Sequence, residues 1–239
     1  MSAQSTRIVG VEFGREAVPR SFTTLLPPEL RAGYVRVDPL DNPDIQGAVR
    51  TIESQAEHWA AVLAADPAPP TVVLGYCSGS GFASELAARL GGNPQLILVD
   101  PGAPDAEDAQ ELLIELATGM DEDLAPQDVP DLLGRNADDA LAVIGDFLTA
   151  TIQRCAPELD QDIAEALTSH QRGWMSYTLA AGAHGGALPK EPAHVLLSEA
   201  AEWDRTRPGE VHQFPVDPVA LFSDAAAAAA VAAAVAARL

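Results

Sequence analysis

The densest chemistry in the sequence lies in five consecutive residues, Gly75-Tyr76-Cys77-Ser78-Gly79. Gly-x-Cys-x-Gly between a strand and a helix is the pattern of a nucleophile elbow, a sharp turn that lifts a reactive side chain out of a sheet. Small residues are needed two positions to either side because neighbouring backbone comes close there. A helix starting directly after the thiol aims N–H groups and its positive end at the sulfur, which favours thiolate over thiol. The N–H of Ser78 is then placed to donate to a developing oxyanion. A second donor is expected from the loop after the first strand, around Phe13, Gly14 and Arg15. Ser78 and Ser80 lack glycines two positions away on both sides, so Cys77 is the expected nucleophile. Cys155, mid-helix among apolar neighbours, reads as a packing residue.

The same glycines admit a rival reading. Gly79-Ser80-Gly81-Phe82-Ala83-Ser84 approximates a dinucleotide-binding fingerprint, and Asp100 ends the next strand about 20 residues later, where a ribose-binding acid belongs. Against it, Ser84 holds the third small position and two strands precede this one. No metal signature is found: Cys-x-x-Cys, His-x-x-x-His and His-Glu-x-x-His are absent, and the five histidines look scattered. No Walker loop occurs.

The elements around the elbow alternate. Arg7–Phe13, Gly33–Val37, Thr71–Tyr76 and Gln95–Val99 read as buried strands, with helices over Gln46–Ala65 and Gly79–Leu90. From Asp105 to about Ala183 the character is helical, over Glu107–Gly119, Pro130–Arg135, Ala137–Cys155 and Leu159–Leu179. Strands resume at His194–Leu197 and Val211–Phe214, and a last helix covers about Val219–Leu239. The expected fold class is α/β: one domain over residues 1–239, with a mostly parallel sheet of about six strands and helices on both faces. Residues 103–185 form a helical insertion at the C-terminal edge of the sheet, where lids occur.

Composition narrows the function. A formal charge of −21 and 47% hydrophobic residues predict a globular protein that binds neither nucleic acid nor an anionic membrane. No run of about 18 apolar residues occurs outside the C-terminal alanine tract, and Met1 to Thr6 lacks the features of a secretion signal. With two cysteines, a reducing cytoplasmic location is the simplest expectation. Residues 101–170 carry 17 carboxylates against Arg135 and Arg154; these read as solvated helix faces, or as a segment favouring an amine-bearing substrate near a site.

Thr71 to Leu90 (TVVLGYCSGSGFASELAARL) and the following QLILVDPGAPD resemble the strand, elbow, helix and acid-bearing strand of α/β-hydrolase thioesterases that serve polyketide and nonribosomal-peptide assembly lines. The resemblance covers most of the chain and implies Cys77 as nucleophile, in place of the usual serine, with Asp100 as the acid; Glu199 and Asp204 are alternatives. It implies an acyl thioester substrate on coenzyme A or on the phosphopantetheine of an acyl or peptidyl carrier protein, and no resident cofactor. Hydrolysis, transfer and cyclisation are all open to an acyl-cysteine. Tyr76, Trp174 and Tyr177 are candidate substrate-binding residues. Arg7, Arg15, Arg20, Arg31 and Arg36 are the one basic cluster a carrier could dock on. Dienelactone hydrolases, which use cysteine in a Gly-Tyr-Cys-x-Gly elbow, are similar at that motif alone. The family's histidine position, after the last strand, matches Pro218 here. His212 is the nearest substitute and His184 a second candidate. If neither serves, the thiol acts without a base, or the fold is a catalytically retired binding protein.

Overall fold

The computed structural model describes residues 6–14, 20–45, 47–66, 68–185, 193–204 and 209–238. Six short strands, β1 (Ile8–Val11), β2 (Tyr34–Val37), β3 (Val72–Tyr76), β4 (Gln95–Val99), β5 (His194–Leu197) and β6 (Glu210–Gln213), form one sheet. Their order is β2-β1-β3-β4-β5-β6, and every pairing is parallel. Parallel pairing of β1 to β5 follows from the β-α-β connections: helices return the chain to the same edge before β2, β3, β4 and β5. Central strands buried on both faces need continuous apolar runs, and Val72 to Leu74 and Leu96 to Val99 supply them.

The chain divides into two compact units. The first comprises Met1–Pro39, Glu53–Ala103 and Gly186–Leu239, and the second Leu40–Ile52 and Pro104–Gly185. The first holds the sheet, with α1 (Phe22–Leu25), α2 (Pro28–Arg31), α3 (Ile52–Leu63, whose first residue falls in the second unit), α4 (Gly79–Arg89) and α8 (Ala225–Ala236). On one sheet face Leu74, Ile97, Val99 and Leu196 pack with Phe22, Leu25, Phe222, Val231 and Val235. The alanine tract is therefore a core-facing helix, and Asp224 caps it by accepting the Ala227 N–H at 2.8 Å.

The second unit is helical: α5 (Ala106–Met120), α6 (Ala137–Cys155) and α7 (Gln161–His184). Leu113, Ala117, Ile144, Leu148 and Met175 form its core. Part of its acidity is structural. Asp105 and Asp108 make a reciprocal capping box on α5, and Asp160 caps α7.

Three expectations change here. Pro130–Arg135 is a loop, because Gln110 bonds both Pro130 O and the Leu132 N–H and Gly134 takes a left-handed φ of 77°. The helix expected from Gln46 starts at Ile52, and the one expected from Val219 becomes a 3-10 turn (Ala220–Ser223) followed by α8. Cys155 is exposed at the end of α6 and not packed.

Candidate active site

β3 ends at Tyr76, and α4 begins at Gly79. Between them Cys77 takes a left-handed φ of 46°, a conformation that costs a non-glycine residue about 1–3 kcal/mol. The turn is tied down from both sides. The Cys77 N–H donates to Val99 O at 3.1 Å, while its carbonyl accepts from Ser80 N at 3.0 Å and Gly102 N at 3.1 Å. The thiol residue itself is exposed. A methyl on Gly75 would lie 2.6 Å from Ala83 Cβ, so only glycine lets the strand and helix close this tightly. A methyl on Gly79 would lie 3.2 Å from the Phe13 ring, which places the loop after β1 against the start of α4.

Asp100 follows β4 as Cys77 follows β3, one strand over, since Tyr76 is in register with Val99. It too is left-handed, with φ 39°. One carboxylate oxygen accepts the Ser198 N–H at 2.7 Å, and the other is buried without a hydrogen-bond partner. Two residues on, Gly102 borders the thiol: a methyl there would be 3.5 Å from Cys77 Sγ and 3.7 Å from Ser78 N. The Tyr76 phenol receives the Arg20 guanidinium at 3.1 Å, and its ring meets Phe222 edge-on at 5.0 Å. Burial pushes this phenol above its ordinary range; Arg20 opposes the rise, and Cys77 and Asp100 add to it.

The structure thus brings Cys77, Ser78, Tyr76 and Asp100 together, with the Phe13–Gly14 loop against α4. It does not bring His212 to them. His212 is in register with Leu196, which pairs with Val99, so it stands three strands from β3, about 14 Å at ordinary strand spacing. Its ring is also engaged elsewhere, with Nε2 3.2 Å from Glu210 and a parallel stack on His194. His184 ends α7 in the second unit. Pro218 occupies the turn after β6, where Asp217 accepts the N–H groups of Val219 and Ala220. Those bonds hold the Asp217 carboxyl below its ordinary range. Glu199 follows β5, two strands from β3, and is exposed; with Leu197, Trp203 and Gln213 it lines a cavity of about 370 Å³. Asp204 is exposed on the same connection.

Further expectations are corrected. Tyr177 on α7 is 1% exposed and so offers no surface to a substrate; Trp174, stacked on it at 6.4 Å, is half-buried. Gly79, Ser80 and Gly81 are buried in the first turn of α4, which offers no open loop for a pyrophosphate. Of the arginines proposed for docking, Arg7 is buried and donates to Ala68 O and Leu63 O, and Arg36 pairs with Glu12 and Asp38; Arg15 lies outside the described residues. The histidines are not all scattered: donor atoms of His194, Glu210 and His212 lie within 4.8 Å of one another. Missed altogether were Gly102, Ser198 and the placement of Arg20. Asp-Pro-Gly directly after β4 was the one local signal for Gly102.

No family model matches the chain, and no curated protein matches its sequence. Solved structures do match. The NocB thioesterase domain, in covalent complex with a fluorophosphonate nocardicin G analogue, is similar with a TM-score of 0.51 at 18% identity, over 96% of this chain and 94% of that one. The fold is that of the α/β-hydrolases. A second structure of the NocB domain gives 0.50 at 18% identity over 98% and 95% of the two chains. BpoC of Mycobacterium tuberculosis H37Rv gives 0.50 at 15% identity over 99% and 94%. Among the described residues no helix is long and apolar enough to cross a membrane.

Proposed function

We propose that the chain is a thioesterase-type acyl-transfer enzyme with Cys77 as its nucleophile. One observation carries the reading: an exposed thiol held at φ 46° between a parallel strand and a helix N-terminus. The fold shared with the NocB domain, which holds a covalent ligand, supports it. In this reading the Cys77 thiolate bonds to the carbonyl carbon of an acyl thioester, and the carbonyl electron pair moves onto oxygen. Ser78 N–H and the Phe13–Gly14 backbone receive that oxyanion. Collapse of the intermediate expels the thiolate of coenzyme A or of a carrier's phosphopantetheine arm, which takes a proton from water, and leaves acyl-Cys77. Exchange of one thioester for another is nearly balanced in energy, so a thiol suits transfer or cyclisation as well as hydrolysis. Asp100, with one buried oxygen unpartnered, is the group that takes the proton from the incoming water or hydroxyl. Tyr76 and Arg20 border the entering acyl group.

Pro218 and the commitment of His212 to Glu210 favour a second reading, a binding protein on a retired hydrolase fold. A dienelactone-hydrolase-like activity is a third outcome of the same test. The test is intact-mass analysis after short incubation with acyl thioesters, with dienelactone and with iodoacetamide, for wild type and Cys77→Ala. The proposal expects one acyl group per chain, absent from the variant, and alkylation of Cys77 ahead of Cys155. Cys155 is the built-in control, because desolvation and the neighbouring Asp121 push its thiol upward. Equal labelling of the two cysteines with no acylation would support the binding protein.

A further inference from the structure

Parallel pairing of β5 and β6 puts His194 opposite Glu210 and Leu196 opposite His212. Residues two apart on a strand share a face, so Glu210 and His212 point the same way and His194 joins them from the neighbouring strand. The Glu210 carboxylate lies between the two rings, with one oxygen 3.5 Å from His194 Nδ1 and the other 3.2 Å from His212 Nε2. The rings are parallel within 6°, their centroids 6.2 Å apart. All three donor atoms fall within 4.8 Å of one another.

We propose that His194, Glu210 and His212 form a zinc-binding site across the β5–β6 ladder. Zinc bonds to imidazole nitrogen and carboxylate oxygen at about 2.0–2.2 Å, which sets its ligands about 3.3 Å apart in a tetrahedron. The two contacts to Glu210 are close to that separation, each to a different carboxylate oxygen. Rotation of the carboxylate and the two imidazoles, on backbones fixed by the ladder, brings the three ligand atoms from within 4.8 Å of one another to that spacing. Two imidazoles with one carboxylate suit zinc and not calcium or magnesium, which take oxygen ligands. Three protein donors leave the fourth position to water. Side-chain exposures of 19%, 64% and 33% for His194, Glu210 and His212 leave an entry path from solvent.

The cluster starts at the first residues of β5 and β6, whereas Cys77 follows the last residue of β3. By register, however, His194 and Glu210 are level with Leu74 and His212 with Tyr76, so what separates the cluster from the elbow is the two to three strands across the sheet. The bound ion pins the four-residue edge strand β6 to its neighbour and takes no part in the thiol's reaction.

The test is zinc titration of the untagged full chain in the Cys77→Ala background, in competition with a chromogenic chelator. One zinc per chain is expected, with affinity falling at least about 10-fold on His194→Ala or His212→Ala. His212→Gln, which keeps a polar side chain of similar size, should lose affinity equally, so a folding defect in the alanine variant would not decide the matter. Zinc should raise the melting temperature of the parent and not of the variants. Cobalt in the chain with Cys77 intact should give d–d bands without a thiolate charge-transfer band. Stoichiometric zinc binding unchanged by either histidine substitution would overturn the proposal. So would parent binding no stronger than that of the double variant, or a thiolate band lost with Cys77.

Discussion

Asp100 accepts the backbone N–H of Ser198 at 2.7 Å on one carboxylate oxygen and keeps the other buried without a partner. The two residues are 98 positions apart, and the bond fixes the carboxylate at the end of β4. If the second oxygen takes the proton of the deacylating nucleophile, Asp100→Asn should leave acylation of Cys77 nearly intact. Deacylation should slow at least about 100-fold, the lower end of what a general base contributes, so acyl-Cys77 accumulates. Intact mass over a time course reads this directly. A variant that deacylates as fast as the parent would remove Asp100 from the reaction.

Gly102 offers a steric test of the same space. Its alanine variant would place a methyl 3.5 Å from Cys77 Sγ and 3.7 Å from Ser78 N, ordinary contact distances that the fold tolerates. The acyl carbonyl must enter between those two atoms. We expect kcat/KM to fall about 10- to 100-fold with little change in melting temperature. Unaltered kinetics would mean that the thioester approaches from another side.

Pro218 stands in the turn after β6, where the thioesterase resemblance calls for histidine. Pro218→His should supply the missing base and raise the deacylation rate at least about 10-fold, with a rate that follows the ionisation of an imidazole as pH increases. A pH profile identical to that of the parent would count against this turn facing the thiol.

Two tyrosines make stability fall in alkali. Burial pushes the phenols of Tyr34 and Tyr76 above their ordinary value of 10.0, and Glu12 adds to the rise at Tyr34. The unfolded chain releases these protons first, so their contribution is fully present below about pH 10 and is lost as pH climbs above it. Denaturant midpoints measured across that range should decline, and Tyr34→Phe should flatten the decline. An equally steep loss in the variant would assign it to other groups.

What the sequence revealed followed the range of each interaction. The strands, α4 and the Cys77 elbow depend on neighbours within a few positions, and apolar runs bounded by glycine and proline mark them. Cys77 and Asp100 each end a readable strand, so their pairing at adjacent strand ends was legible too. Pro130–Arg135 was misread because the residue that shapes it, Gln110, lies on another helix. Ser198 and the His194–Glu210–His212 cluster depend on which strands become neighbours and in what register. Short motifs carry no trace of that. His212 was a candidate because it is the histidine nearest in sequence to the position Pro218 holds, whereas strand order puts it three strands from β3.

The left-handed backbone at Cys77 has a consequence for how this chain can change. A side chain at φ 46° is one the fold would rather do without, and glycine would relieve it at no steric cost. Cys77→Gly should therefore yield a protein that is inert toward thioesters yet more resistant to heat, by roughly 1 kcal/mol. In the proposed reaction, the nucleophile and the stability of the chain thus pull in opposite directions at one residue.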